Sequence, residues 1–111
     1  MFTRTLIAAS LLATSGLALP TMASAHGAWQ RHHPARTHIN HRIARQQVRI
    51  THEVREGDMS RAEARDLRGD LHDIRKEERS LAQANGNGHL TPAQARDLNH
   101  QLNHTSHDIG H

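Results

Sequence analysis

From residue 39 onward, apolar residues recur at helical intervals. Ile39, Ile43, Gln47, Ile50 and Val54 are spaced by four, four, three and four and share one helix face. Gly57 ends that helix. Leu67, Leu71, Ile74 and Leu81 follow at four, three and seven, which predicts a helix from Ser60 to about Ala84, with Gly69 a mild weak point. The run Asn85–Gly88 (NGNG) is a strong turn. Ala95, Leu98, Leu102 and Ile109 make a third stripe. Every patterned segment is therefore helical.

Two stretches outside this pattern stand apart. Residues 26–40, HGAWQRHHPARTHIN, lack periodicity and read as a flexible His/Arg-rich arm. Residues 1–25 carry Arg4, an apolar run from Leu6 to Leu19, and the small residues Ala23, Ser24 and Ala25. The run is too short and too Ser/Thr-broken for a permanent membrane span, so it reads as a secretory signal peptide cut after Ala25. The expected address is the periplasm or the secreted space, with no stable membrane span after cleavage. Residues 41–111 form the expected domain: all-α, a small three-helix helix-turn-helix arrangement.

Composition narrows the picture. The chain has no Cys, one Trp and no Tyr, so disulfides and thiolate metal sites are excluded and large apolar residues are few. One small helical domain is the most such a chain supports, and a homodimer would help it. The net charge is +3 with His neutral, and all twelve His lie beyond Ala25, so charge is sensitive to mild acid.

The turns repeat. Residues 57–71, GDMSRAEARDLRGDL, align with 88–102, GHLTPAQARDLNHQL. Each copy encodes a Gly turn, an apolar residue tucked under it (Met59, Leu90), a Ser/Thr cap (Ser60, Thr91) and a helix start. Ser60 with Glu63, and Thr91 with Gln94, have capping-box spacing, and Pro92 suits the first helical position. The second turn also echoes an EF-hand loop, with Asn85, Asn87, Gly88, Leu90, Thr91 and Gln94 at loop positions 3, 5, 6, 8, 9 and 12. Position 1 is Gln83 and position 12 an amide, and Val54 stands where the first copy needs a ligand, so these are EF-hand-like turns without calcium ligands. Calcium is not expected.

The segments RQQVRI, EGDMSRAEARDL and AQANGNGHLTPAQARDLNHQLNHTSHDI resemble a family of small exported helical proteins of Gram-negative bacteria that repeat a G-x-[LV]-T-x-x-[EQ] unit. The resemblance covers about residues 43–109 and implies a periplasmic helical protein, without an activity. Leu90–Gln94 (LTPAQ) also resembles the LTxxQ motif of periplasmic stress chaperones of the CpxP and Spy type; the first copy departs from it as MSRAE. That resemblance implies a helical dimer tied to envelope and metal stress.

Charges flank the central stripe. Asp66, Asp70, Asp73 and Glu77 lie on one shoulder, and Arg61, Arg65, Arg68, Arg75 and Arg79 on the other. Such a seam selects a partner helix, and Arg42, Arg45 and Arg49 are positioned by sequence to meet the acidic shoulder. The alternative is two solvated faces.

The histidines carry the one chemical clue. His100, His104, His107 and His111, spaced four, three and four, fall within about a 60° arc opposite Leu98, Leu102 and Ile109. Imidazoles one turn apart chelate Cu²⁺, Ni²⁺ or Zn²⁺, with Asp108 a nearby oxygen donor. The arm holds His26, His32, His33, His38 and His41. If cleavage follows Ala25, the free amine and imidazole of His26 can share one copper ion. His52, His72 and His89 read as ordinary surface residues.

An enzyme is not expected, because three short helices offer little concave, acid–base-lined space. Nucleic acid is disfavoured by export and by the balanced helix charges. Two readings remain: a metal-binding or metal-buffering module, and a chaperone or adaptor with polypeptide clients. A client binder needs a sizeable exposed apolar patch; a buffer does not.

Overall fold

The structure, a computed structural model, describes residues 22–110, with side chains from residue 27. The predicted signal falls outside the described residues up to position 21, and Met22–Ala25 open the first helix. The described chain is all helical: α1 Met22–His32, α2 Pro34–Arg55, α3 Arg61–Ala84 and α4 Pro92–Ile109. None of these helices is long and apolar enough to cross a membrane.

Four helices stand where the pattern predicts three, because the expected arm at 26–40 is helical. α2 begins at Pro34, whose ring suits the first turn, and its early turns are held both by Ile39, which opens the apolar stripe, and by an ion pair that periodicity does not reveal. Ile39 is fully buried, and Arg36 forms an ion pair with Glu78 of α3. α1 packs on α2 and on no other described helix.

The helices α2, α3 and α4 pack on one another pairwise. Arg36 meets Glu78 and Thr51 meets Arg68, so α2 and α3 run antiparallel. Arg42 meets Asn99 and Arg49 meets Ser106, so α2 and α4 run parallel. The core joins Ile39, Ile43 and Ile50 of α2, Leu67, Leu71 and Ile74 of α3, and Leu98, Leu102 and Ile109 of α4.

Two details correct the sequence reading. Gln46, not Gln47, faces this core at 3% exposure. And Arg42 and Arg49, expected to meet the acidic shoulder of α3, are engaged along α4. Arg42 donates to Asn99 Oδ1 and Asn103 Oδ1, both at 2.8 Å, and Arg49 donates to Ser106 Oγ at 2.8 Å and to the Gly110 carbonyl. With Gln46 Nε2 donating to the Leu102 carbonyl at 3.0 Å, they form a polar clasp along α4. Burial, then the neighbouring Arg45, pushes the Arg42 guanidinium below its usual value. The basic shoulder of α3 turns toward α2 instead, where Arg68 donates to Thr51 Oγ1 at 2.9 Å.

The repeat is structural as well as textual. Gly57 and Gly88 adopt φ of 80° and 78°, a conformation that favours glycine. Met59 is buried beneath the first turn, and Leu90 packs against the core beneath the second. Ser60 and Thr91 cap with nearly identical backbones (φ −75°, ψ 161° and φ −73°, ψ 158°). The capping box closes both ways at Thr91–Gln94, whereas at Ser60 the hydroxyl half is formed. Asn85 Nδ2 donates to Gln94 Oε1 at 2.7 Å, which holds the second box in place.

Gln46 leaves its Oε1 buried without a hydrogen-bond partner. An orphaned buried acceptor costs more than a typical hydrogen bond returns. Gln46→Met, similar in volume, is expected to raise the unfolding free energy by about 1 kcal/mol in denaturant melts. A loss of that size would show that the bond to Leu102 outweighs the orphaned oxygen.

Candidate metal-binding face

The helix α4 is set by its Thr91 cap and by burial of Leu98, Leu102, Thr105 and Ile109. That burial fixes its rotation and turns His100, His104 and His107 outward, all exposed. The side chains of His104 and His107 are 82% and 89% exposed. Asp108 lies between them: its oxygens are 3.8 Å from His104 Nε2 and 3.9 Å from His107 Nδ1. Those distances are too long for hydrogen bonds but within reach of a shared cation after small rotamer changes.

The acidic shoulder of α3 faces α4. Glu77 Oε2 accepts from Gln101 Nε2 at 3.0 Å. Further along, an open groove of about 530 Å³ separates the two helices. Asp70 and Asp73 line one wall and His100 and His104 the other, with Ile74 and Thr105 beneath. The charge pattern places these carboxylates on a partner-selecting shoulder; the structure sets them opposite the histidines. The signal that could have found them was the antiparallel packing that the NGNG turn implies, which sets the i,i+3 pair on α3 against the i,i+4 pair on α4. Among the described residues, no three His, Asp or Glu side chains stand close enough to enclose a metal ion as placed.

The other predicted ligands lie elsewhere. His111 and the side chain of His26 fall outside the described residues. His32 ends α1 and is exposed. His33 is the N-cap of α2 and stacks between Trp29 (ring centroids 4.5 Å apart) and His89 (4.9 Å). His100 lies eight residues beyond Pro92, about 12 Å up the helix, so the His33 cluster and the α4 face are separate places. His89, which the sequence alone marks only as a surface residue, stacks on His33.

The EF-hand-like turn uses its polar side chains internally. Asn85 Nδ2 donates to the His89 carbonyl at 2.8 Å, Asn87 Oδ1 accepts from the His89 amide at 2.9 Å, and Gln94 Oε1 accepts from the Thr91 amide at 3.0 Å. These bonds make a turn rather than a ring of oxygens around a hard cation.

No protein-family model matches the chain, and neither the curated proteins nor the solved structures contain a match to it.

Proposed function

We propose that this protein is an exported, non-catalytic binder or buffer of divalent transition metal ions, Cu²⁺, Ni²⁺ or Zn²⁺, and that its working surface is the outer face of α4. The observation that carries this reading is the pair His100 and His104. They are exposed one helical turn apart, on the lip of a groove whose facing wall is Asp70 and Asp73. Imidazole nitrogens suit these ions, and two carboxylates nearby concentrate cations at the groove. His107 and Asp108 extend the donor set toward the C-terminus. A periplasmic setting under metal stress is where such buffering would serve.

The chaperone reading needs an apolar docking surface. Val48, 69% exposed, is the one large hydrophobic residue that stands exposed among the described residues. A single exposed valine is ordinary surface rather than a client-binding patch, so the metal reading is preferred.

Calorimetric titration of the protein with each ion at neutral pH is expected to give micromolar or tighter binding, weakened at least tenfold by His100→Ala/His104→Ala. Imidazole must be unprotonated to coordinate, so binding should be lost as pH falls to about 5. Binding no stronger than that of an unstructured His-rich peptide would overturn the reading.

A further inference from the structure

A second cluster lies where the α1–α2 junction meets the turn before α4. His33 Nδ1 lies 2.9 Å from the Trp29 carbonyl oxygen. A carbonyl only accepts, so Nδ1 carries the proton and Nε2 carries the lone pair of the neutral ring. That Nε2 faces the turn: a Cβ built on Gly88 would lie 3.5 Å from it. A ring nitrogen fixed by a backbone carbonyl on its far side is the support that metal-ligating histidines commonly have.

The neighbour on that turn is His89, exposed, its ring centroid 4.9 Å from that of His33 and the planes 29° apart. As placed the two rings stack rather than converge on one point, and rotation of the exposed His89 about its side-chain torsions would bring one of its nitrogens beside His33 Nε2. Space exists there: a cavity of about 260 Å³ is bounded by His33, Arg36, His89 and Leu90. Arg36, which lines this cavity, is paired with Glu78, so its charge is offset locally.

We propose that His33 and His89 form a second divalent-metal site, for Cu²⁺ or Ni²⁺, with water completing the coordination shell. It shares the class of ion with the α4 reading but none of its residues, and it stands or falls separately. Bound metal would pin the α1–α2 junction to the turn that starts α4.

Trp29 reports on the His33 end of the molecule, and the His89 variants tie its signal to this site. It is the only tryptophan in the chain, and its ring lies 4.5 Å from that of His33. Cu²⁺ or Ni²⁺ added to the protein expressed from its full sequence, at neutral pH, is expected to quench Trp29 emission saturably. His89→Ala and His89→Gln, changes at an exposed position, should each shift the midpoint at least tenfold. His100→Ala/His104→Ala should leave it within twofold while removing the calorimetric signal of α4. A midpoint unchanged by both His89 variants, or one that moves with the α4 double variant, overturns the proposal. The α4 reading is then judged by calorimetry alone.

Discussion

Replacing Arg36 by Ala is expected to destabilise the fold by about 3–5 kcal/mol, the range for stranding one partner of a buried ion pair. Glu78 is 1% exposed and the Arg36 side chain 16%. Arg36 also donates to the Gly88 carbonyl at 3.1 Å and lies 5.1 Å from the Trp29 ring centroid, so it ties α2, α3 and the second turn together. Small domains have about 5–15 kcal/mol in all, and each kcal/mol moves the midpoint of a 60–100-residue domain by about 4–8 °C. A fall of at least about 12 °C should therefore appear in thermal melts followed by circular dichroism. Arg36→Met with Glu78→Leu removes both charges and should recover most of the loss. A loss under about 1 kcal/mol for Arg36→Ala would mean that the pair behaves as a solvated surface bridge.

That contact also shows where sequence reasoning stops. The stripes at Leu67, Leu71 and Ile74 and at Leu98, Leu102 and Ile109 are legible because helical periodicity and burial are the same fact seen twice. The caps at Ser60 and Thr91 are legible because local hydrogen bonds are written in local sequence. The helix at 34–40 is not, since its support is a partner 42 residues away, Glu78. A hint was present: Glu78 falls four residues after Ile74, in register with the apolar stripe, and a Glu there requires a cation. Gln46 is the same case. Swapping it for Gln47 in the stripe leaves the spacings equally helical, and only its bond to Leu102 separates the two.

The candidate site divides the same way. That His100, His104 and His107 share an exposed face follows from intervals along one helix. Their meeting with Asp70 and Asp73 depends on which shoulder of α3 turns toward α4. The charge pattern alone pointed the arginines of α2 at those carboxylates. In the structure Arg42 and Arg49 bond along α4 with Gln46, and the acidic residues Asp70 and Asp73 line the groove opposite His100 and His104. The pairing of His33 with His89 crosses from one segment to another through a turn, and no periodicity encodes it.

Leu102→Ala is expected to cost about 3–5 kcal/mol, since deleting a fully buried leucine loses its transfer energy and leaves a cavity. Leu102 is fully buried in the cluster that joins α2, α3 and α4, and its carbonyl accepts from Gln46. Leu90→Ala, at a half-buried position, should cost markedly less. The larger loss reaches function without touching a ligand. In proteins most helical stability comes from tertiary packing of an amphipathic face, so the one-turn spacing of His100 and His104 depends on the core that holds α4. Metal that binds the folded state at 100 times its dissociation constant adds about 2.7 kcal/mol to stability. Saturating Zn²⁺ should therefore restore much of the melting temperature lost in Leu102→Ala. The same ion should restore little when His100→Ala/His104→Ala is added to that background. Equal rescue in both would place the stabilising ion away from α4, and no rescue in either would separate the fold of this helix from metal altogether.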